Sequence, residues 1–155
     1  MSYLAAFILT ECPEYISFVL FYNLITKGQI LSFYTFKSDV IMSKLKFFRQ
    51  AFLVEIPDLC EYFEEEKIDP WQYVYEWVMT MFTWALEEKV CKKLWDIYFL
   101  DGFPSLFAGA LAILKLLKEW LLNADIEEIM KTLKNTQSLI TDDIEFAKTM
   151  GSVKL

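Results

Sequence analysis

Glycine and proline are scarce and badly placed for a sheet: only four of each occur in 155 residues, and nearly all fall where a helix would begin or end. Between them, apolar residues recur every three or four positions, and no strand-like alternation persists, so the chain reads as all-α. Pro13 opens an apolar segment from Tyr15 to Ile25, with Lys27-Gly28 as its C-terminal signal. Ser38-Asp39 can cap a helix carrying Ile41, Leu45, Phe48 and Phe52, stopped by Ile56-Pro57. Pro57-Asp58 starts a short helix with Leu59, Tyr62 and Phe63 on one side and Glu61, Glu64, Glu65 and Glu66 mostly on the other.

Asp69-Pro70 then predicts a long aromatic helix from Trp71 to Leu86, with Val74, Trp77, Val78, Met81 and Phe82 as its buried stripe. Glu87-Glu88 introduces a helix whose inner face is Val90, Leu94, Trp95 and Tyr98, closed by Asp101-Gly102. Pro104 lies in the first turn of the longest helix, which runs to Asn123 and carries Phe107, Ala110, Leu114, Leu117 and Leu121 inward. Gly109, between Ala108 and Ala110, suggests a close helix approach; the alternative is simple tolerance of a flexible residue at about 1 kcal/mol. Asp125 caps Ile126 to Leu133 with Glu128 as its capping-box partner, and Thr141 begins a last helix ending at Gly151. Without a repeat or low-complexity linker, residues 1–155 count as one helical domain, a multi-helix bundle.

Composition removes several chemistries. No histidine is present, which excludes imidazole-based nucleophile pairs, proton shuttles and His-bearing zinc sites. A net charge of −7 and a single arginine, Arg49, argue against nucleic-acid binding, which needs a cationic stripe. With 55% hydrophobic and 17% aromatic residues, the chain is too apolar for disorder. Its apolar runs, Tyr15 to Thr26 and Gly102 to Leu114, stop at Lys27 and Lys115, short of the ~18–20 residues of a transmembrane span. Met1 is followed by no basic or cleavable leader, so an intracellular address, cytoplasmic or peripheral on endomembranes, is expected.

Cys12, Cys60 and Cys91 are odd in number and widely spaced, which fits reduced thiols and no metal site. None of Gly28, Gly102, Gly109 and Gly151 belongs to a phosphate-cradling pattern, so no cofactor is expected. The glutamate cluster reads as a solvated face and Arg49 as a surface or bridging residue; Gln72 and Gln137 have no accompanying catalytic motif.

The order of the segments carries more. Ile56-Pro57-Asp58-Leu59, Asp69-Pro70, Trp77-Val78-Met79-Thr80-Met81-Phe82, Leu94-Trp95-Asp96 through Gly102, and Ala110-Leu111-Ala112-Ile113-Leu114 follow one another in a fixed succession. This succession resembles the C-terminal half of TBC domains, over about residues 1–150. The resemblance implies an all-α lobe of the TBC fold, and a regulator of Rab-type small GTPases in vesicle trafficking as its function. Pro57, Asp58, Pro70, Trp77, Phe82, Trp95, Asp96 and Gly102 are then the family-motif positions, with structural roles expected; for Asp96 the expectation is a helix cap or an inter-helix bond.

Met1-Ser2-Tyr3-Leu4-Ala5-Ala6 is similar to the helix that follows the family's Y-x-Q-G-M signature. The resemblance therefore implies that the family's catalytic glutamine, and further back its I-x-x-D-x-x-R arginine-finger segment, precede the first residue of this chain. Neither motif occurs in the sequence, Arg49 stands in no such segment, and no catalytic residue is assigned. An arginine finger is worth about 10³–10⁵-fold in rate, or about 4–7 kcal/mol of barrier. The expectation is GTPase binding without full activation, by a chain that lacks the N-terminal catalytic lobe; the alternative is a non-catalytic helical scaffold. A half-domain should also leave an apolar face for a missing lobe or another protein. Helix Ser2 to Thr10, with the seam Tyr3, Leu4, Phe7 and Ile8, is the expected exposed piece; closure by the remaining helices is the alternative.

Overall fold

The computed structural model describes residues 1–27 and 29–155. Ten α-helices follow one another, with no strand among the described residues: α1 Ser2–Glu11, α2 Glu14–Lys27, α3 Leu31–Tyr34, α4 Ser38–Glu55, α5 Pro57–Glu65, α6 Val74–Met79, α7 Glu88–Asp101, α8 Pro104–Leu121, α9 Ile126–Lys134 and α10 Asp143–Ser152. Single 3-10 turns lie at Pro70–Gln72 and Thr136–Ser138. The all-α expectation holds.

Local chemistry sets most helix ends. Pro57, Pro70 and Pro104 each sit in a first helical turn, where a missing N–H costs nothing. Asp125 Oδ1 accepts from Glu128 N, and Asp142 Oδ1 accepts from Ile144 N and Glu145 N. The last helix thus starts two residues after Thr141. Ser38 is the first residue of α4 and makes no cap; Lys37 precedes it without a side-chain bond. Gly102 closes α7 at φ 78° and ψ −158°, a conformation that disfavours a Cβ. Gly28, expected to close α2, lies outside the described residues.

Helix α8 is the axis. Every residue from Ser105 to Leu114 is buried, as expected for a helix apolar on all sides. It packs against α7, α10, α6 and α4. At Gly109 a Cβ would lie 2.5 Å from Leu94 Cδ1, so close approach to α7, and not mere tolerance, explains this glycine.

Two expectations are corrected. The segment from Trp71 to Leu86 is not one helix: α6 ends at Met79 and a tight turn follows. Met81 and Phe82 take φ of 46° and 64°, and both are buried. The apolar spacing favours a continuous helix, but tertiary bonds override it: Trp95 and Cys91 of α7 donate to the Met81 carbonyl that the break releases, and both side chains still reach the core. The apolar seam of α1 is also largely covered. Leu4 and Ile8 are buried, Phe7 packs on Trp95 at 5.0 Å between ring centroids, and Tyr3 meets Trp84 at 5.4 Å. The exposed apolar face belongs to α2 instead, where Tyr15, Phe18 and Tyr22 stand outward.

Candidate functional site

The turn after α6 gathers the aromatic motif residues. Because Met81 and Phe82 leave the helical ladder, the Met81 carbonyl is free to accept from Trp95 Nε1 at 2.9 Å and from Cys91 Sγ at 3.6 Å, both on α7. Trp77 Nε1 donates to the Leu133 carbonyl at 3.1 Å, tying α6 to α9, and its ring lies 6.0 Å from that of Phe82. Thr136 Oγ1 donates to the Ala85 carbonyl at 2.5 Å, and Tyr34 OH donates to the Met79 carbonyl. Trp77, Phe82 and Trp95 are thus brought together around one turn, with both indole N–H groups satisfied inside the core. Burial pushes the Tyr34 phenol up to about 12 and the Cys91 thiol up to about 12, so both stay protonated.

A second group of motif residues forms the corner between α4 and α5. Pro57 starts α5, and Asp58 Oδ2 pairs with Lys118 Nζ at 2.6 Å. Three residues before Asp58, Glu55 Oε2 pairs with Lys115 Nζ at 2.6 Å, while Glu55 Oε1 accepts from Lys154 N at 3.0 Å. Both carboxyls are held below their ordinary range, chiefly by the lysine hydrogen bonds. The corner is stapled to α8 by two ion pairs one helical turn apart.

Pro70 is buried beside this corner, and Asp69 Oδ1 accepts from Trp71 N at 2.7 Å while Gln72 Oε1 accepts from Asp69 N at 3.3 Å. Gln72 therefore has a capping bond, which its sequence context concealed. Arg49 pairs with Glu64 at 2.8 Å across the α4–α5 surface, bordering a cavity of about 240 Å³ with Cys60, Lys67 and Asp69. Bridging is what the sequence suggested for it.

Asp96 is the exception among the motif positions. It is exposed and its carboxylate makes no hydrogen bond or ion pair with another described residue, so the expected cap or inter-helix bond is not formed. One residue beyond Trp95 on a helix is a rotation of about 100°, which turns its carboxylate from the core into water.

Beside the first residue lies a cavity of about 330 Å³ lined by Met1, Tyr3, Tyr34, Glu76, Thr80 and Trp84. Trp84, carried on the strained turn, is 51% exposed and walls this cavity as well as a polar one formed with Glu87, Lys134 and Gln137. Sequence reasoning passed over Trp84 and Tyr34, because their placement depends on the break at Thr80. Among the described residues no cluster of cysteine and carboxylate side chains could hold a metal ion.

Residues 1–122, close to four fifths of the chain, match the family model of the Rab-GTPase-TBC domain. The chain belongs to this family. Among its relatives, TBC1 domain family member 12 of Xenopus tropicalis is 28% identical over 153 residues, covering 99% of this chain and 22% of that protein. TBC1 domain family member 14 of Homo sapiens is 27% identical over 125 residues, covering 81% of this chain and 18% of that protein. Drainin of Dictyostelium discoideum is 25% identical over 164 residues, covering 97% of this chain and 37% of that protein. The chain spans about a fifth of the length of its TBC1 relatives.

TBC proteins are regulators of Rab-type GTPases in intracellular trafficking. No described helix is long and apolar enough to cross a membrane.

Proposed function

We propose that this chain is the C-terminal lobe of a TBC domain, one that contacts a Rab-type GTPase, in the cytoplasm or peripheral on endomembranes, without supplying the groups that accelerate GTP hydrolysis. The observation that carries this reading is the state of Arg49. It is the only arginine in the sequence, it lies outside any I-x-x-D-x-x-R segment, and its guanidinium is engaged by Glu64. A finger must reach charge developing on the transferred phosphoryl group, whereas this arginine stands in no finger segment and lies on the α4–α5 surface beside Glu64.

The motif positions other than Asp96 fit scaffold roles. Trp77, Phe82 and Trp95 fix the turn after α6, Pro57 and Asp58 fix the α4–α5 corner, Pro70 starts the turn into α6, and Gly102 ends α7. The GTPase-facing region in this reading is the cavity beside Met1, because the family's glutamine-bearing signature would run into Ser2-Tyr3.

The alternative is a helical scaffold that keeps the architecture and binds no GTPase. Equilibrium binding of the purified chain to a panel of Rab GTPases, loaded with GTP analogue or GDP, separates the two. Saturable binding to at least one GTP-form Rab is expected; a folded chain that binds none leaves the scaffold reading in its place.

A further inference from the structure

Helix α2 is apolar on two faces. Its inner side places Ser17 and Leu24 in the core, and Ser17 Oγ donates to the Cys12 carbonyl at 2.8 Å to lock the α1–α2 hairpin. Its outer side exposes Tyr15 by 80%, Phe18 by 68% and Tyr22 by 58%, with Val19 and Thr26 between and beyond them. This is an i, i+3, i+4, i+7 seam, the pattern a helix uses to meet another helix. At about 150–250 Å² per aromatic side chain, the three rings leave roughly 300–500 Å² in water. That matches the largest apolar patches found on monomers, and about half of what each partner contributes to a standard interface.

The charge pattern selects the occupant. Within α2 the only ionic side chains are Glu14 at the start and Lys27 at the end, both exposed, with the apolar seam between them. A second α2 laid antiparallel brings each acidic end beside the other's basic end, and the helix dipoles oppose. In that register residue i faces residue 41 − i, so Tyr22 meets Val19 of the other copy, Tyr15 meets its Thr26 and Phe18 meets its Asn23: each ring opposes a smaller side chain. A parallel pairing would instead set Glu14 beside Glu14. A lipid surface is disfavoured, since an interfacial helix carries a basic polar face, and α2 carries only Lys27, in a chain of net charge −7. We infer that the outer face of α2 is a self-complementary dimerisation surface that pairs two copies of this chain about a two-fold axis, with antiparallel α2 helices at its centre. The inference is independent of the GTPase reading.

Sedimentation of the 155-residue chain in reducing buffer, from ~1 to ~200 µM, tests it. A reversible monomer–dimer equilibrium is expected, and Phe18→Ser with Tyr22→Ser should weaken it by at least ~30-fold. Because both side chains are exposed, the far-UV circular dichroism, and the thermal melt taken at concentrations where the chain is monomeric, should stay unchanged. Glu14→Lys alone and Lys27→Glu alone should each weaken pairing by about 10-fold, and an equimolar mixture of the two variants should regain wild-type affinity. Mixing cannot repair a folding defect, so recovery reads the antiparallel contact itself. A monomer throughout the range, a dimer indifferent to the aromatic changes, a mixture no tighter than its components, or a monomer that floats with anionic vesicles would each overturn the inference.

Discussion

Trp95 Nε1 donates to the main-chain oxygen of Met81 at 2.9 Å, joining α7 to a turn in which two consecutive residues take positive φ. With the weaker bond from Cys91 Sγ at 3.6 Å, it satisfies a carbonyl that the helix break takes out of the helical ladder. Backbone strain of about 1–3 kcal/mol per residue persists only where the surroundings enforce it, and here the enforcement comes from α7. Trp95→Phe should keep most of the ring volume, remove the donor and lower stability by about 1–3 kcal/mol in urea unfolding. An unchanged unfolding midpoint would show that the turn does not depend on this bond.

The two structurally placed glycines should fail for different reasons. Gly109→Ala puts a Cβ 2.5 Å from Leu94 Cδ1, and Leu94 is itself fully buried, so overpacking should cost about 1–3 kcal/mol despite alanine's better helix propensity. At Gly102 nothing lies within 4 Å of an added Cβ, and the cost of Gly102→Ala is backbone strain at φ 78°, about 1–3 kcal/mol. Shortening Leu94 to valine should relieve the first variant and leave the second unaffected. Equal relief of both would contradict the distinction.

Acid should loosen the α4–α5 corner. Lys115 and the Lys154 N–H hold the Glu55 carboxyl below its ordinary value of 4.5, so its contribution is fully present above that value and is lost as pH falls through the lower folded one. Glu55→Gln should therefore cost about 1 kcal/mol at pH 7 and progressively less below about pH 4. A pH-independent difference in urea midpoints would rule out the charge as its cause.

Thiol reactivity should follow burial. Burial pushes Cys60 up to about 11 and Cys91 up to about 12, whereas Cys12 is only half-buried and lies between α1 and α2. Alkylation at neutral pH, followed by peptide mass spectrometry, should label Cys12 first, with Cys60 and Cys91 at least ~10-fold slower until the chain unfolds. Prompt labelling of Cys91 would contradict the packing around Met81.

Much of this architecture is legible in the residues because helix ends are local chemistry. Pro57, Pro104, Gly102 and Asp125 each act on the turn in which they stand, and the helices begin or stop there. The break at Thr80 is different. Val78 through Leu86 has an apolar spacing compatible with continued helix, and the features that end it are donors 10 and 14 residues away, Cys91 and Trp95. The same limit hid the exposed face. Tyr3, Leu4, Phe7 and Ile8 look like a seam in sequence, but only the position of Trp84 and Trp95 reveals that α1 is covered and α2 is not. Asp96 was misplaced for the opposite reason: adjacency to a core tryptophan in sequence is divergence on a helix.

Single-turnover GTP hydrolysis by a panel of Rab GTPases, with and without saturating chain, tests the central claim most directly. Without finger groups, rates should stay within about 10-fold of the intrinsic ones, far below the ~10³–10⁵-fold that a finger supplies, and Arg49→Ala should change nothing. Acceleration of any Rab by a hundredfold or more, abolished by Arg49→Ala, would contradict it.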